Sequence, residues 1–339
     1  MSAPVRNVPS PLVSILLPFF DDAEFVGRAL VSIRQQTMAD FEVIAVDDCG
    51  SDGGLHIVRS VAQDDHRVRV FSNPTNLGMT RNWNRALREA CGKYVVKLDA
   101  DDAMAPRMLE TLAAEIEAQP QVLVAYCRTV SCDANLEPIG SYLGERALLR
   151  GGIEPLQLHR RAGHEWYRLC FFDMQLWHSD AQMHRREELL RMGGWDERWG
   201  CASDTDLILR VLERNRLITH LPYAGIHYRQ RENSVSDRYR KADKLAWEVT
   251  QINLASLHRY RAAGGRLNGD LMENWWRLWR NWRRMRNGEQ TDPRTEAVKA
   301  VEHPSPAAFS PAPPFPVVAY GMLRHSGSAW RQRLRACTH

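Results

Sequence analysis

Short apolar runs that alternate with helical patterns constrain this chain more than any other feature of its sequence. The first three runs are residues 13–17, 41–46 and 68–71, and each has the β-branched and apolar content of a buried strand. A segment with helical periodicity follows every run, and the third of these segments covers residues 76–91. Strands and helices that alternate in this way predict an α/β fold, with a right-handed, mainly parallel sheet flanked by helices.

Acidic residues gather where two of the predicted strands end. They are Asp47 and Asp48 after the second run, and Asp99, Asp101 and Asp102 after a fourth run at 94–98. Ligands of parallel sheets bind beyond the carboxyl ends of the strands, so both groups are predicted at one edge. Carboxylates crowded at one edge repel each other, and a divalent cation with a nucleotide would relieve that repulsion. The alternative is that Asp102 caps a helix starting near Met104 and the other carboxylates are solvated turn residues.

The composition excludes several classes of protein. A net charge of +4 over 339 residues is too small to indicate nucleic acid, and no nucleic-acid partner is expected. Seven cysteines with no Cys-x-x-Cys pair argue against a disulfide framework and a zinc site, so a reducing, cytoplasmic location is predicted. The apolar run 12–20 contains Pro18 and is followed by Asp21 and Asp22, which favours a strand over a signal peptide or a membrane span.

Six motifs occur in an order that is typical of one family. They are VSILLPFF, FEVIAVDDCGSDG, NLGMTRNWNRAL, GKYVVKLDADD, GGWDER and SDTDLILR. In this respect the chain resembles glycosyltransferase family 2, the sugar-nucleotide-dependent transferases with the Rossmann-like GT-A fold, over roughly residues 13–236. The resemblance implies a metal-dependent transferase that moves a sugar from a nucleotide-diphosphate donor, with UDP-sugars favoured, to an acceptor hydroxyl. We expect inversion at the sugar carbon, and an acceptor that is a saccharide, a lipid-linked sugar or a small molecule in the synthesis of surface polysaccharide, lipopolysaccharide or a glycoconjugate.

The resemblance also implies a set of nucleotide-binding residues. They are Pro18, Phe19, Asp21, Asp47, Asp48, Asn76, Gly78, Arg81, Asn82 and Asp99. In the family pattern Asp48, or its neighbour Asp47, hydrogen-bonds the base, and Asp99 approaches the ribose. The sequence also permits a structural interpretation, in which Asn76 and Gly78 form a turn and Arg81 belongs to a solvated helical face.

Mn²⁺ or Mg²⁺ is the cofactor that the resemblance implies. Asp101 would hold the metal with Asp99 beside it, and His227 is a candidate for a further ligand, since neutral imidazole binds such cations. A lone histidine is more often a packed or hydrogen-bonded residue, so that role stays open for His227. Lys97 lies inside the fourth apolar run, where it could pair with a phosphate or with Asp99.

The resemblance implies that Asp204 is the catalytic base, since it matches the base of the family. A carboxylate that is ionised at neutral pH can take the proton of an acceptor hydroxyl. The position before it is commonly Glu in the family and is Ser203 here, which removes a second carboxylate that often contacts the acceptor. Ser203 and Asp206 have the spacing of a capping box. The residues expected to contact the acceptor or the diphosphate are Trp195, Asp196, Arg229 and Arg231.

The chain is predicted to have three parts. Residues 1–236 form the transferase domain, with a nucleotide-binding part at 13–130 and an acceptor part at 131–236. A helical extension covers 237–290, and a proline-rich linker with a basic tail covers 291–339. Within the extension, residues 271–286 carry tryptophans on one helical face and mainly arginines on the other, which suits either the inner face of a membrane or packing on the domain.

Two rival functions follow from the same residues. Ser203 and the Trp/Arg segment suit a non-catalytic, membrane-associated protein that binds nucleotide sugars. A sugar-phosphate nucleotidyltransferase would use a related fold, but such enzymes generally carry a glycine-rich phosphate loop after the first strand, and LLPFFDDAEF has no glycine.

Overall fold

A computed structural model of the protein describes residues 10–142, 144–169, 177–232, 234–242 and 244–263. Its strands are β1 (Val13–Phe19), β2 (Phe41–Asp47), β3 (Val68–Ser72), β4 (Tyr94–Lys97), β5 (Ala103–Met104), β6 (Val122–Cys132), β7 (Pro138–Tyr142), β8 (His159–Ala162), β9 (Gln182–Arg185) and β10 (Leu217–Arg229). Its helices are α1 (Ala23–Arg34), α2 (Gly54–Asp64), α3 (Met79–Glu89), α4 (Met108–Ala118), α5 (Glu145–Arg150), α6 (Gly163–Leu169), α7 (Arg186–Arg191), α8 (Ser203–Glu213), α9 (Val235–Lys241) and α10 (Lys244–Ala262). A 3₁₀ turn at Ser179–Ala181 precedes β9.

One sheet organises the described chain, with the strand order β3-β2-β1-β4-β9-β6-β10-β5. The first four strands in this order pair in parallel, whereas β9 runs antiparallel to both β4 and β6. β6 and β10 are again parallel, and the short strands β7 and β8 pair antiparallel with β6 and β10 respectively. The predicted α/β architecture with a flanked, mostly parallel sheet is confirmed.

Every residue of β1 and β2 is buried, because helices cover both faces of the sheet. Alternate strand residues enter opposite cores, so Ile15 packs with the apolar faces of α1 and α4. Leu16 belongs to the other core, which α3, α6, α8 and α10 close. The carboxyl ends of β1, β2 and β4 therefore open at one edge, between the two layers of helices.

Two element boundaries differ from the sequence prediction. The helix after the acidic run starts at Met108 and not near Met104, because Ala103 and Met104 pair antiparallel with His227 and Ile226 of β10. Arg107 occupies the N-cap position of α4, so the prediction that Asp102 caps this helix was wrong. From the sequence, residues 217–222 and 225–229 are expected to form two extended segments, whereas the structure joins them in β10, one continuous strand with irregular register.

The glycines of residues 133–163 predict a less regular stretch, but this segment contains β7, α5 and β8. The aromatics at 166–177 are expected mainly to fill the core, and Trp166, Tyr167 and Trp177 are all buried, which confirms that expectation for these three. Helices α9 and α10 follow β10, and α10 packs against α6 and α8 through Tyr260 and Ser256. Phe171, Phe172, the Trp/Arg segment 271–286 and the tail at 291–339 lie outside the described residues. Among the helices that are described, none combines the length and apolar content that a membrane crossing requires.

Candidate active site

The loop after β2 begins with two buried carboxylates that the protein itself satisfies. Asp47 accepts hydrogen bonds from the Gly50 amide at 2.9 Å and from the Ser72 hydroxyl at 2.9 Å. Asp48 accepts from three donors of the loop after β3, namely the Asn73 side-chain amide and the backbone amides of Leu77 and Gly78, at 2.6–2.9 Å. These carboxylates therefore fix the shape of two neighbouring loops, and contact of either one with a base stays a prediction.

The loop after β3 turns sharply at Gly78, whose φ of +87° is one that glycine adopts far more readily than other residues. Asn76 accepts a hydrogen bond from the Gly78 amide, as a turn residue would. Asn82 is buried and donates to the Val46 carbonyl while accepting from Asn73. The hydrogen bonds of Asn76 and Gly78 therefore fit the structural interpretation, in which the two residues form a turn. Contact of these residues or of Asn82 with a nucleotide stays a prediction.

The turn after β1 joins the same rim. Pro18 and Phe19 are buried in β1, whereas Asp21 is exposed and has a positive φ of 51°. The Asp21 carboxylate accepts from the Ser51 amide at 2.7 Å, and the Asp52 carboxylate accepts from the amide of Ala23 at the start of α1. These bonds tie the first two strand-to-helix loops together at the carboxyl edge of the sheet.

Asp99, Asp101 and Asp102 follow β4 on that edge, and each has a different kind of partner. Asp99 pairs with the buried ammonium of Lys97. Asp101 pairs with Arg231 at 2.9 Å, and the same guanidinium lies 3.5 Å from Asp22. Asp102 accepts the backbone amide of Arg229 through one oxygen at 2.8 Å, and no described residue hydrogen-bonds its buried second oxygen, Oδ2.

A group of three potential metal ligands forms around that oxygen. One atom each from Asp99, Asp102 and His178 lie within 4.8 Å of one another, and His178 Nδ1 is 3.9 Å from Asp102 Oδ2. The sequence predicted Asp101, Asp99 and His227 instead, and of these only Asp99 belongs to the group. Two carboxylate oxygens and an imidazole nitrogen are ligands that Mn²⁺ accepts, so the donor set fits the implied cofactor.

Burial and the proximity of other carboxylates raise the pKa values of Asp99 and Asp102. Burial and the neighbouring Asp180 raise the pKa of Asp99 to about 7, against the opposing effect of Lys97. Burial, with the nearby Asp101, holds the pKa of Asp102 well above its usual range. Burial also lowers the pKa of His178, which keeps its imidazole neutral and able to act as a ligand. A cation bound among these carboxylates would favour their ionised forms and offset the effect of burial on their pKa values.

Asp204 lies in the first turn of α8, close enough to His178 and Lys97 for both to influence its pKa. Burial raises the pKa of Asp204, and the positive charge of His178 would lower it. The predicted capping box was wrong, because Ala202 occupies the N-cap position without a side-chain cap bond. The Ser203 hydroxyl instead accepts from Thr80 of α3 at 3.3 Å, and Asp206 pairs with Arg210.

The residues expected to contact the acceptor or the diphosphate differ in their exposure. Trp195 is 2% exposed and packs edge-on against Trp83, which assigns its ring to the core. Arg229 is also buried, and its guanidinium bonds the backbone carbonyls of Asp101 and Ala134. The side chain of Arg231 is partly exposed beside Asp101, so a ligand at the site could contact it.

Two further predicted residues have partners on the surface. Asp196 pairs with Arg198 at 2.6 Å. Arg81 is largely exposed and lies 3.4 Å from Glu197. Neither arrangement tests the predicted contact with a nucleotide or an acceptor.

Sequence reasoning missed three residues of the site, namely Asp22, His178 and Asp180. His178 and Asp180 follow a stretch without a recognisable motif, and they reach the acidic group only through the pairing of β9 with β4. Asp22 does carry a local signal, since it directly follows the predicted nucleotide residue Asp21. Burial, reinforced by Asp101, raises the pKa of Asp22 to about 6, which places it within the same acidic group.

Comparison with known proteins identifies a family and several proteins that this chain resembles. The model of the family "Glycosyl transferase family 2" matches residues 14–176. An O-antigen biosynthesis protein of Myxococcus xanthus is 28% identical over 226 residues, which are 65% of this chain and 16% of that protein. The chain spans 16–40% of the length of the first curated relatives that it matches.

Two solved structures share the fold. TarS of S. aureus in complex with UDP-GlcNAc superposes with a TM-score of 0.60 at 18% identity, over 84% of this chain and 77% of TarS. The mannosyltransferase PcManGT of Pyrobaculum calidifontis, in complex with GDP-Man and Mn²⁺, gives a TM-score of 0.54 at 18% identity, over 96% of this chain and 83% of that protein. The GT-A architecture expected from the sequence is confirmed by these likenesses.

Proposed function

We propose that this chain, whose residues 14–176 match the model of glycosyltransferase family 2, transfers a sugar from a nucleoside-diphosphate donor to an acceptor hydroxyl with help from a divalent cation. The observation that carries the proposal is the position of Asp204 near His178, a member of the buried group in which no described residue hydrogen-bonds Oδ2 of Asp102. UDP-sugars are the proposed donors, in line with the UDP-GlcNAc bound by TarS. The O-antigen relative supports a role in the synthesis of surface polysaccharide or a related glycoconjugate.

Asp204 is the proposed general base. Its carboxylate would take the proton of the acceptor hydroxyl while the hydroxyl oxygen bonds to the anomeric carbon of the sugar. The bond from that carbon to the diphosphate oxygen breaks as the new bond forms, and the nucleoside diphosphate leaves from the opposite face. Inversion at the anomeric carbon follows, because a single displacement exchanges the two faces. A raised pKa suits this role, since it makes the ionised carboxylate of Asp204 a stronger base.

Asp99, Asp102 and His178 would hold the divalent cation, with Asp101 as the further ligand that the family resemblance implies. A bound Mn²⁺ or Mg²⁺ supplies positive charge that stabilises a departing diphosphate. Arg231 lies on the same side and is the proposed protein donor to the diphosphate, because a guanidinium can bond two phosphate oxygens at once.

Substitution of the base tests this function most simply. Asp204→Asn should keep the fold and the binding of donor, but should lower the turnover number by a factor of about 10² to 10⁴, as expected on loss of general base catalysis. Glu213→Gln is a matched control at the other end of α8, where Glu213 pairs with Arg259 away from the acidic group. Turnover of Asp204→Asn at the rate of the control would contradict the assignment.

A further inference from the structure

A buried ion pair lies directly behind the acidic group. Lys97 of β4 has a side chain that is 1% exposed, and its ammonium contacts the carboxylates of Asp99 and Asp180, the latter at 2.6 Å. The ammonium also lies 4.5 Å from the centre of the Trp83 ring, which favours a cation on its face. Asp180 is fully buried in the 3₁₀ turn before β9, and it lies 83 residues from Lys97 along the chain.

The pair holds Asp99 at two points. One oxygen of Asp180 accepts from the Lys97 ammonium, and the other accepts the backbone amide of Asp99 at 2.7 Å. The ammonium in turn bonds Oδ1 of Asp99. Among the described residues nothing hydrogen-bonds Oδ2 of Asp99, so one oxygen of this carboxylate is engaged and the other is left for a ligand.

The charges on the pair depend on each other. Burial lowers the pKa of Lys97, but Asp180 and Asp99 reverse this effect and raise it above its usual range, so the ammonium stays charged. Lys97 in turn helps to keep Asp180 ionised and its pKa lowered despite burial. A buried charge that loses its partner is strongly unfavourable, so neither residue can be replaced alone without loss of stability.

We propose that Lys97 and Asp180 are a positioning pair that fixes the carboxylate of Asp99, with Oδ1 held by the ammonium and Oδ2 presented to the divalent cation that accompanies the nucleotide. This inference rests on the proposed function, because it takes Asp99 as one of the residues that would hold the cation. It goes beyond a stabilising role, since the pair would set the direction of one carboxylate oxygen at the site.

The test separates positioning from stability by comparing single and double variants. Lys97→Met leaves the fully buried Asp180 without its charged partner, and Asp180→Asn leaves Lys97 with Asp99 as its remaining charged partner, so both should lower the midpoint of urea unfolding and the first should lower it more. Lys97→Met/Asp180→Asn should recover most of the loss seen in Lys97→Met, because Asp180 is no longer a buried charge without a partner and Asp99 is partly exposed. All three variants should bind UDP with Mn²⁺ about tenfold more weakly than the wild type, as is common when the residues that orient a ligand-binding group are lost.

Two comparisons sharpen the result. Lys93→Met removes an exposed lysine at the opposite end of β4, where Lys93 pairs with Glu117, and should leave nucleotide affinity unchanged. Lys97→Met in an Asp99→Asn background should cost no further affinity, because the two residues act through the same oxygen. Calorimetric titration with UDP and with GDP, each with Mn²⁺, gives the affinities.

The outcomes distinguish this inference from the proposed function. A double variant that recovers both stability and nucleotide affinity would show a purely structural pair and overturn the inference alone. Unchanged affinity in Lys97→Met, with normal binding by the wild type, would do the same. Failure of the wild type to bind either nucleoside diphosphate would overturn the proposed function and this inference with it.

Discussion

Two groups of carboxylates lie at the same edge of the sheet, and the protein holds them in opposite ways. Among the described residues, Asp47 and Asp48 receive only neutral donors, most of them backbone amides of the adjoining loops. Asp99 and Asp101 have the charged partners Lys97 and Arg231, and Asp102 has a buried oxygen that no residue in the described part of the chain hydrogen-bonds. The difference indicates that Asp47 and Asp48 stabilise the loops. Asp99, Asp101 and Asp102 form the group that can bind a cation.

The largest expected loss of stability comes from a substitution in the first group, at Asp48. Asp48→Ala leaves the Leu77 amide without its acceptor, and it removes one of two acceptors from both the Asn73 side chain and the Gly78 amide, which keep Asn82 and Asn76. An unsatisfied donor costs about 1–3 kcal/mol and each further lost hydrogen bond about 0.5–1.5 kcal/mol, so we expect the free energy of unfolding to fall by about 2–6 kcal/mol. Urea unfolding of the variant measures this loss. A variant as stable as the wild type would show that Asp48 does not hold the loops.

A smaller effect is expected from the turn that Asp48 supports. Gly78 has φ +87° and ψ 155°, a conformation that is strained for any residue with a Cβ, although no atom obstructs a Cβ there. Gly78→Ala should therefore lower the free energy of unfolding by about 1–3 kcal/mol through backbone strain alone. Gly27→Ala in α1 is the control, because its Cβ would meet only an ordinary contact at 3.9 Å and its backbone is helical. Equal unfolding midpoints for the two variants would contradict the strain.

The second group should respond in binding and not in stability. Asp101→Asn removes one half of a partly exposed ion pair, and such pairs contribute about 0–1 kcal/mol to stability. The same change should weaken Mn²⁺-supported binding of UDP by about tenfold if Asp101 contacts the metal, which corresponds to about 1.4 kcal/mol. Titration of Mn²⁺ into the variant with UDP present measures this.

Two further variants test which histidine is a ligand of the proposed metal site. His178→Phe and His227→Phe compare the histidine that the structure groups with Asp99 and Asp102 against the one predicted from the sequence. Weaker Mn²⁺ binding in the first alone supports the observed group. Weaker binding in the second alone would support the sequence prediction instead.

The smallest expected effect is a shift in a pH profile. Burial raises the pKa of Asp204, and a general base works only in its ionised form, so turnover should fall as pH is lowered through that raised value. With donor saturating, the acidic limb of turnover against pH should therefore lie above the pKa of about 3.9 of an ordinary aspartate. Turnover that persists unchanged down to pH values near 4 would argue against Asp204 as the base.

Local patterns were sufficient to predict the strand-to-helix units and the edge where both acidic groups lie. Apolar periodicity identified β1, β2 and β4, and the parallel order of these strands brought Asp48 and Asp99 to one edge. Pairing between distant segments could not be predicted in the same way. The antiparallel strand β5 and the contact of Lys97 with Asp180 both depend on the chain returning from more than 80 residues away.

The orientation of side chains was the other feature that could not be predicted from the sequence. The motif identified Asp101 as a metal ligand and Trp195 as an acceptor contact, but a motif does not say which way a side chain points. The structure turns Trp195 into the core against Trp83 and gives Asp101 an arginine partner. Both outcomes depend on packing from other elements, and in each case the partner comes from a distant part of the chain.

Release of free nucleotide from a panel of UDP- and GDP-sugars, measured with Mn²⁺, with Mg²⁺ and with a chelator, tests the central claim most directly. The account predicts turnover of one donor in the presence of a suitable acceptor and a divalent cation, and loss of that turnover in chelator and in Asp204→Asn. Turnover that survives the chelator would contradict the role of the acidic group as a cation site. Turnover that survives Asp204→Asn would contradict the proposed base.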